Sequence, residues 1–157
     1  MFTTDDILEI AERIETNGER TYREASRKTA DPFLAKHLAA LADDEQKHRL
    51  WFAESKGRLS VQPVDPEVAE MGRELLQSVF GEKAFALDEV DLTRLPDMQA
   101  LLTVSMELER DTIAFYEMLE PFMADEQGRQ DLALVIEEER KHLHLLQERI
   151  DKESSNP

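Results

Sequence analysis

The chain has 157 residues, of which 41% are hydrophobic and 34% charged, and its formal net charge at pH 7 is -16. This length suits one domain with its own core, and no apolar run approaches the roughly 18 residues of a membrane span. Because there is no cysteine, the sequence excludes disulfides, zinc–thiolate sites, iron–sulfur clusters and thiol catalysis, and its acidity disfavours nucleic acid and anionic membranes as partners.

The spacing of apolar residues predicts four long amphipathic helices and no strand of useful length. Glycine (5) and proline (6) are few, which favours uninterrupted helices. The second helix begins after Asp31-Pro32, an N-cap residue followed by proline at the first helical position, and it stops at Gly57. We expect a frayed tail after the fourth helix. The predicted helices span about residues 5–28, 32–56, 96–118 and 126–151.

A long connection, residues 58–95, separates the second helix from the third. Within it, Asp65-Pro66 and Gly81 bound a short extra helix at about residues 66–80, and an irregular stretch follows. The short links inside each helix pair predict two antiparallel hairpins, which the long crossover allows to pack together. The predicted fold is therefore an all-α antiparallel four-helix bundle in a single domain, residues 1–157.

The two hairpins resemble each other at a constant offset of 94 residues. Many of the matched positions carry polar side chains, although they lie on faces that should be buried. This is not the usual appearance of a chance similarity between helices. The polar matches include the pairs Glu15 and Glu109, Tyr22 and Tyr116, Glu45 and Glu139, and His48 and His142.

Each of the four core-facing stripes has a glutamate near its middle, and two stripes add a histidine one turn later. A buried carboxylate costs several kcal/mol unless it is neutralised or paired, and no lysine or arginine lies on these stripes. Two divalent cations would balance four carboxylates, as in carboxylate-bridged dimetal bundles. The alternative is a duplicated bundle whose glutamates face solvent. The predicted metal ligands are Glu15, Glu45, His48, Glu109, Glu139 and His142.

Four further residues are candidates for supporting such a site. Tyr22 and Tyr116 lie two turns after the glutamates of the first and third helices. They either fill the core with satisfied hydroxyls or act near the metals. Asp44 and Glu138 directly precede the motif glutamates. They either are surface acids or accept the free ring N–H of a metal-bound histidine from the opposite repeat.

At these residues the sequence resembles the rubrerythrin branch of the ferritin-like superfamily. The matching segments are ETNGERTY and DEQKH in the first hairpin, and ELERDTIAFY and EEERKH in the second. The resemblance implies a ferritin-like four-helix bundle in which the six predicted ligands hold two metal ions. It further implies that Glu45 and Glu139 bridge the two ions, whereas Glu15 and Glu109 are terminal ligands.

The chain departs from full rubrerythrins in two respects. Those proteins carry a rubredoxin-like module with a four-cysteine iron site, so this cysteine-free chain resembles the stand-alone members, and an external donor would have to supply electrons. Many rubrerythrins also carry an additional glutamate on the third helix, one turn after the ligand there. Thr112 occupies that position here and disfavours a peroxidase assignment.

The resemblance implies redox chemistry with dioxygen or hydrogen peroxide at a di-iron centre, as an oxidoreductase of the peroxidase, oxidase or ferroxidase type with a role in oxidative stress. Mixed oxygen and nitrogen ligands suit iron, and also admit manganese or zinc. The alternative is iron binding or storage in iron homeostasis without turnover. A third is a structural bundle with an empty or zinc-filled site.

The sequence also bears on the cellular location of the protein and on its assembly. The N-terminus lacks the basic start and apolar block of a signal peptide, so we expect a cytoplasmic protein. A homodimer would require an apolar face on the outside of the bundle. The candidates for that face, which could equally belong to the core, are Ile14, Phe33, Leu50 and Phe115.

Overall fold

The computed structural model describes residues 4–56 and 97–155, which form four α-helices and one 3₁₀ turn with no strand. The prediction of an all-α four-helix bundle is confirmed. No helix in these two ranges is long and apolar enough to cross a membrane. The predicted crossover, residues 58–95 with its short helix, lies outside the described residues. The helices are α1 (Thr4–Lys28), α2 (Pro32–Ser55), α3 (Met98–Leu119) and α4 (Glu126–Ser155).

Aspartate side chains cap the starts of α2 and α3. Asp31 accepts hydrogen bonds from the backbone N–H groups of Phe33 (2.9 Å) and Leu34 (3.3 Å), which have no partner inside the helix. Asp97 accepts from the backbone N–H of Ala100 at 2.8 Å. Because Asp97 serves as the cap, α3 begins at Met98 and not at residue 96, as the apolar pattern had predicted.

The ends of the helices in the second hairpin also differ from the predicted bounds. α3 continues through Leu119 into a 3₁₀ turn, Glu120–Phe122, whose proline has no N–H to extend the α-helix. α4 extends to Ser155, a turn beyond its predicted end at about residue 151. Arg149 Nε lies 3.4 Å from Glu153 Oε1 one turn later, and the Ser155 hydroxyl donates to the Asp151 carbonyl at 2.8 Å.

The four helices pack as two hairpins, α1 with α2 and α3 with α4, and α1 also packs against α3. A polar contact closes one end of the bundle, where Arg149 of α4 pairs with the capping carboxylate of Asp31. Phe115 is only 1% exposed and belongs to the core. Phe33 and Leu50 are exposed, as an outer apolar face would require.

The core consists of two apolar clusters, one toward each end of the bundle. Phe52, which is fully buried and contacts the ring of Tyr116, is central to the first cluster; burying such a side chain stabilises the fold by roughly 1.5–3 kcal/mol. Leu38 and Leu102 are central to the second cluster. Between the clusters lies a layer of buried glutamate and histidine side chains. Both clusters therefore surround a polar centre and separate it from the ends of the bundle.

Candidate metal centre

The polar layer contains all six of the predicted ligands, and every helix contributes at least one. None of the six is more than 4% exposed. α2 and α4 each contribute a glutamate and a histidine, because a spacing of three residues places both side chains on one face. α1 and α3 each contribute one glutamate. The six residues are Glu15, Glu45, His48, Glu109, Glu139 and His142.

The side chains form two overlapping clusters of potential metal ligands. The first consists of Glu15, Glu45, His48 and Glu139, and one donor atom from each lies within 4.8 Å of the others. In this cluster, Nδ1 of His48 is 2.7 Å from Oε1 of Glu139 and 3.4 Å from Oε2 of Glu15. Oxygen and nitrogen ligands that share one metal ion at about 2.1 Å stand about 3 Å apart, so these separations are compatible with a coordination site.

The second cluster repeats the first across the internal repeat. It consists of Glu45, Glu109, Glu139 and His142, with the same limit of 4.8 Å between donor atoms. Nδ1 of His142 lies 3.0 Å from Oε1 of Glu45 and 3.2 Å from Oε2 of Glu139. Glu45 and Glu139 belong to both clusters, whereas Glu15 and Glu109 each belong to one. The geometry therefore offers two adjacent positions with two shared carboxylates.

Several donor atoms in this layer lack a hydrogen-bond partner although they are buried. They are Oε2 of Glu15, Oε1 of Glu45, Nδ1 of His48 and Oε1 of Glu139. The 2.7 Å contact between Nδ1 of His48 and Glu139 does not have hydrogen-bond geometry. Buried polar atoms without partners are rare and costly, commonly about 1–3 kcal/mol each. A cation at the centre would satisfy all four atoms at once, so the residues present fit a metal centre.

The outer nitrogens of both histidines contact acids from the opposite hairpin. Nε2 of His48 is 2.6 Å from Oε2 of Glu138, and Nε2 of His142 is 3.3 Å from Oδ2 of Asp44. Of the two roles considered from the sequence, Asp44 and Glu138 thus have the contacts of ring N–H acceptors and not those of surface acids alone. An acid that accepts the Nε2–H fixes the ring so that Nδ1 faces the carboxylates.

The two tyrosines donate hydrogen bonds across the bundle. The hydroxyl of Tyr22 in α1 donates to Glu109 in α3, and the hydroxyl of Tyr116 in α3 donates to Glu15 in α1. Burial and the nearby carboxylates raise the pKa of both phenols, so they remain protonated donors. Of the two roles considered from the sequence, core filling and a role near the centre, the tyrosines combine both.

Burial and mutual repulsion control the acidity of the carboxylates. Burial raises the pKa of Glu15 and Glu45, and it raises that of Glu109 to about 8. Burial acts in the same direction on Glu139, but the adjacent imidazoles of His142 and His48 outweigh it and lower the pKa. This layer therefore binds positive charge strongly, and metal ions must displace protons to bind.

The raised pKa values of the two histidines also show that this layer stabilises positive charge. Burial lowers the pKa of an imidazole, but the neighbouring carboxylates more than offset it here. The adjacent carboxylates of Glu139 and Glu15 raise the pKa of His48 to about 12. Those of Glu109 and Glu139 raise the pKa of His142 to about 11. Within the described residues, the two histidines are the ion-pair partners of the four glutamates.

One residue of the centre had no functional role in the sequence interpretation. A Cβ atom built on Gly18 of α1 would lie 2.7 Å from Oε2 of Glu45. The absent side chain therefore makes room for a shared carboxylate. The internal repeat could have drawn attention to this position, because Gly18 corresponds to Thr112 at the same offset of 94 residues.

Fold and site together define a helical bundle with a buried carboxylate–histidine centre of the dimetal type. A family model described as Rubrerythrin matches residues 6–150, so the chain belongs to the rubrerythrin family. No curated protein is significantly similar to it. A solved structure from Thermotoga maritima, described as a ferritin-like diiron-carboxylate protein, is similar over 97% of each chain, with a TM-score of 0.71 and 23% identity. This similarity shows the ferritin-like fold.

Proposed function

We propose that the chain binds two iron ions in the polar layer and carries out redox chemistry with dioxygen or hydrogen peroxide. The observation that supports the proposal best is the pair of overlapping clusters that share Glu45 and Glu139. Two divalent ions would balance the charge of the four buried carboxylates. Family membership and the description of the Thermotoga maritima protein favour iron over manganese or zinc.

The first cluster would hold one ion and the second cluster the other. Glu15 and His48 would serve the first ion alone, and Glu109 and His142 the second alone. When bound, the ions supply one-electron redox chemistry that protein side chains lack. Because the chain has no cysteine, electrons would come from an external donor.

The residues around the ligands hold the centre in place. Glu138 and Asp44 would fix the two imidazole rings through their Nε2 atoms. Tyr22 and Tyr116 would orient the terminal carboxylates and keep a proton close to each. The two apolar clusters separate the centre from water at the bundle ends, which strengthens every electrostatic contact in it.

The test begins with anaerobic loading of the purified protein with ferrous iron and measurement of bound iron. Dioxygen or peroxide is then added with an external reductant, and ferric iron is followed by near-ultraviolet absorption. The proposal predicts repeated oxidation, with more than one turnover per chain. Glu139→Gln should abolish it, whereas Glu137→Gln, on an exposed side chain of the same helix, should not.

Two results would contradict the proposal in different ways. Absence of bound iron in the wild-type chain would remove the centre altogether. A single stoichiometric oxidation without turnover would favour the alternative function, iron binding or storage.

A further inference from the structure

A small gap between α1 and α3 is lined by two carboxylates of the candidate metal centre and by partly buried residues nearer the surface. Its rim includes the partly buried side chains of Ile14 and Leu108, and its inner wall includes Tyr22, Glu45 and Glu109. The free volume is about 20 Å³. A water molecule needs a free volume of at least about 10–15 Å³, so the gap has room for one very small molecule.

The gap lies at a place where the two halves of the internal repeat differ. Gly18 and Thr112, which correspond to each other in the repeat, both line it. Because a Cβ on Gly18 would stand 2.7 Å from Oε2 of Glu45, this position has no room for a larger residue while Glu45 keeps its place. The hydroxyl of Thr112 donates to the backbone carbonyl of Leu108 at 2.8 Å, so its proton is already used within α3.

The carboxylates that line the gap belong to the second cluster. Glu109 is the residue specific to that cluster, and Glu45 is shared by both. Glu15 and His48, the residues specific to the first cluster, do not line the gap. A molecule in this gap therefore meets Glu109 of the second cluster and the shared Glu45, but no residue specific to the first cluster.

The chemistry of the walls limits what can enter. The lining is apolar at Ile14 and Leu108 and polar but uncharged at Asn17 and Thr21. The remaining wall carries carboxylates of a chain with a net charge of -16. Anions are repelled, and a hydrated cation is too large for the free volume. Small uncharged molecules of one or two heavy atoms remain.

We propose that this gap admits a small uncharged ligand, of the class of dioxygen, hydrogen peroxide or nitric oxide, to the iron held by the second cluster. The inference rests on the proposed function, because it requires bound iron. Leu108 and Ile14 limit entry, and Gly18 and Thr112 set the width of the inner gap. The two iron positions are consequently unequal toward external ligands although the repeat supplies them with equivalent residues.

Nitric oxide binding to the ferrous-loaded protein tests the route. Association is followed by stopped-flow absorption under anaerobic conditions, and bound iron is measured in each sample. Leu108→Trp should slow association at least tenfold without changing iron content, because the larger ring covers the rim. Ile14→Trp on the opposite wall should act in the same direction and provides a second variant if the first folds poorly. Leu134→Trp is the matched control, since Leu134 is 65% exposed on α4 and does not line the gap.

Two substitutions test which half of the centre receives the ligand. Glu15→Gln removes a donor of the first cluster only, so it should slow nitric oxide association per bound iron less than Glu109→Gln does. Glu109→Gln should slow that binding at least tenfold even where one iron remains bound. Slower nitric oxide association in Glu15→Gln than in Glu109→Gln would overturn the assignment to the second cluster.

The outcomes separate this inference from the proposed function. Normal iron content with unchanged association in both rim variants would overturn the entry route alone. Equal slowing in Leu134→Trp would also overturn it, because the effect would not be specific to the rim. Failure of the wild-type chain to bind iron would overturn the proposed function and this inference with it.

Discussion

The overlap of the two clusters makes a quantitative prediction for metal-linked stability. Glu15 belongs to one cluster and Glu139 to both. Glu15→Gln should therefore leave one complete set of four donors, whereas Glu139→Gln should damage both sets. Glutamine keeps the shape of the side chain and removes its charge, which limits changes in packing to small ones.

The expected magnitude follows from the number of ions. A ligand at a free concentration 100-fold above its dissociation constant stabilises the folded state by about 2.7 kcal/mol, so two ions give about 5.4 kcal/mol. For a chain of this size, 1 kcal/mol shifts the melting temperature by about 2–4 °C, which predicts a rise of about 10–20 °C for the wild type. Glu15→Gln should show about half of that rise, and Glu139→Gln almost none.

Differential scanning calorimetry with and without anaerobic ferrous iron measures these shifts. Glu137→Gln is the matched control, because Glu137 lies on the same helix as Glu139 with a side chain that is 57% exposed. It should shift like the wild type. Equal iron-dependent shifts in Glu15→Gln and Glu139→Gln would refute the reasoning that one glutamate is terminal and the other shared.

Three further predictions concern the contacts around the centre and the bundle end. Tyr116→Phe removes the hydrogen bond to Glu15 and should lower iron affinity about 10–150-fold in a chelator competition, because a hydrogen bond to a charged group contributes about 1.5–3 kcal/mol. Glu138→Gln weakens the hold on His48 and should lower iron affinity about 10–100-fold in the same assay. Asp31→Ala should lower the melting temperature at pH 7, because Asp31 caps α2 and pairs with Arg149. Backbone hydrogen bonds lower the pKa of Asp31, so its contribution is present above its unfolded pKa of about 3.9 and is lost as the pH falls through the lower folded value.

Each of these predictions has a result that contradicts it. Unchanged chelator competition in Tyr116→Phe would mean that the hydroxyl does not orient its carboxylate. If replacing another exposed glutamate of α4 by glutamine lowers iron affinity as much as Glu138→Gln does, general electrostatics and not the contact with His48 would explain the loss. A difference between Asp31→Ala and the wild type that persists undiminished at pH 2 would exclude the ionised carboxylate as its cause.

Much of the arrangement could be predicted because helical periodicity and the repeat act together. A spacing of three residues places Glu45 and His48 on one helix face, whatever surrounds that helix. The offset of 94 residues then identifies Glu139 and His142 as their counterparts. The hydrophobic stripes through these residues required the polar groups to be buried, and the structure places them 4% exposed or less.

Contacts between helices depend on register and rotation, which a single sequence does not specify. The pairing of Tyr22 with Glu109 connects α1 to α3, and periodicity within either helix does not predict it. The close approach of Glu45 to Gly18 is of the same kind. The start of α3 differed from prediction for a local reason, since the Asp97 cap overrode the apolar pattern.

The most direct test of the dimetal centre is anomalous diffraction from iron-loaded crystals at the iron absorption edge. Two peaks should appear in the layer between the four helices, one beside Glu15 and His48 and the other beside Glu109 and His142. Their separation should be about 3.5–4 Å, as in other two-metal sites. A single peak, or peaks outside this layer, would contradict the account.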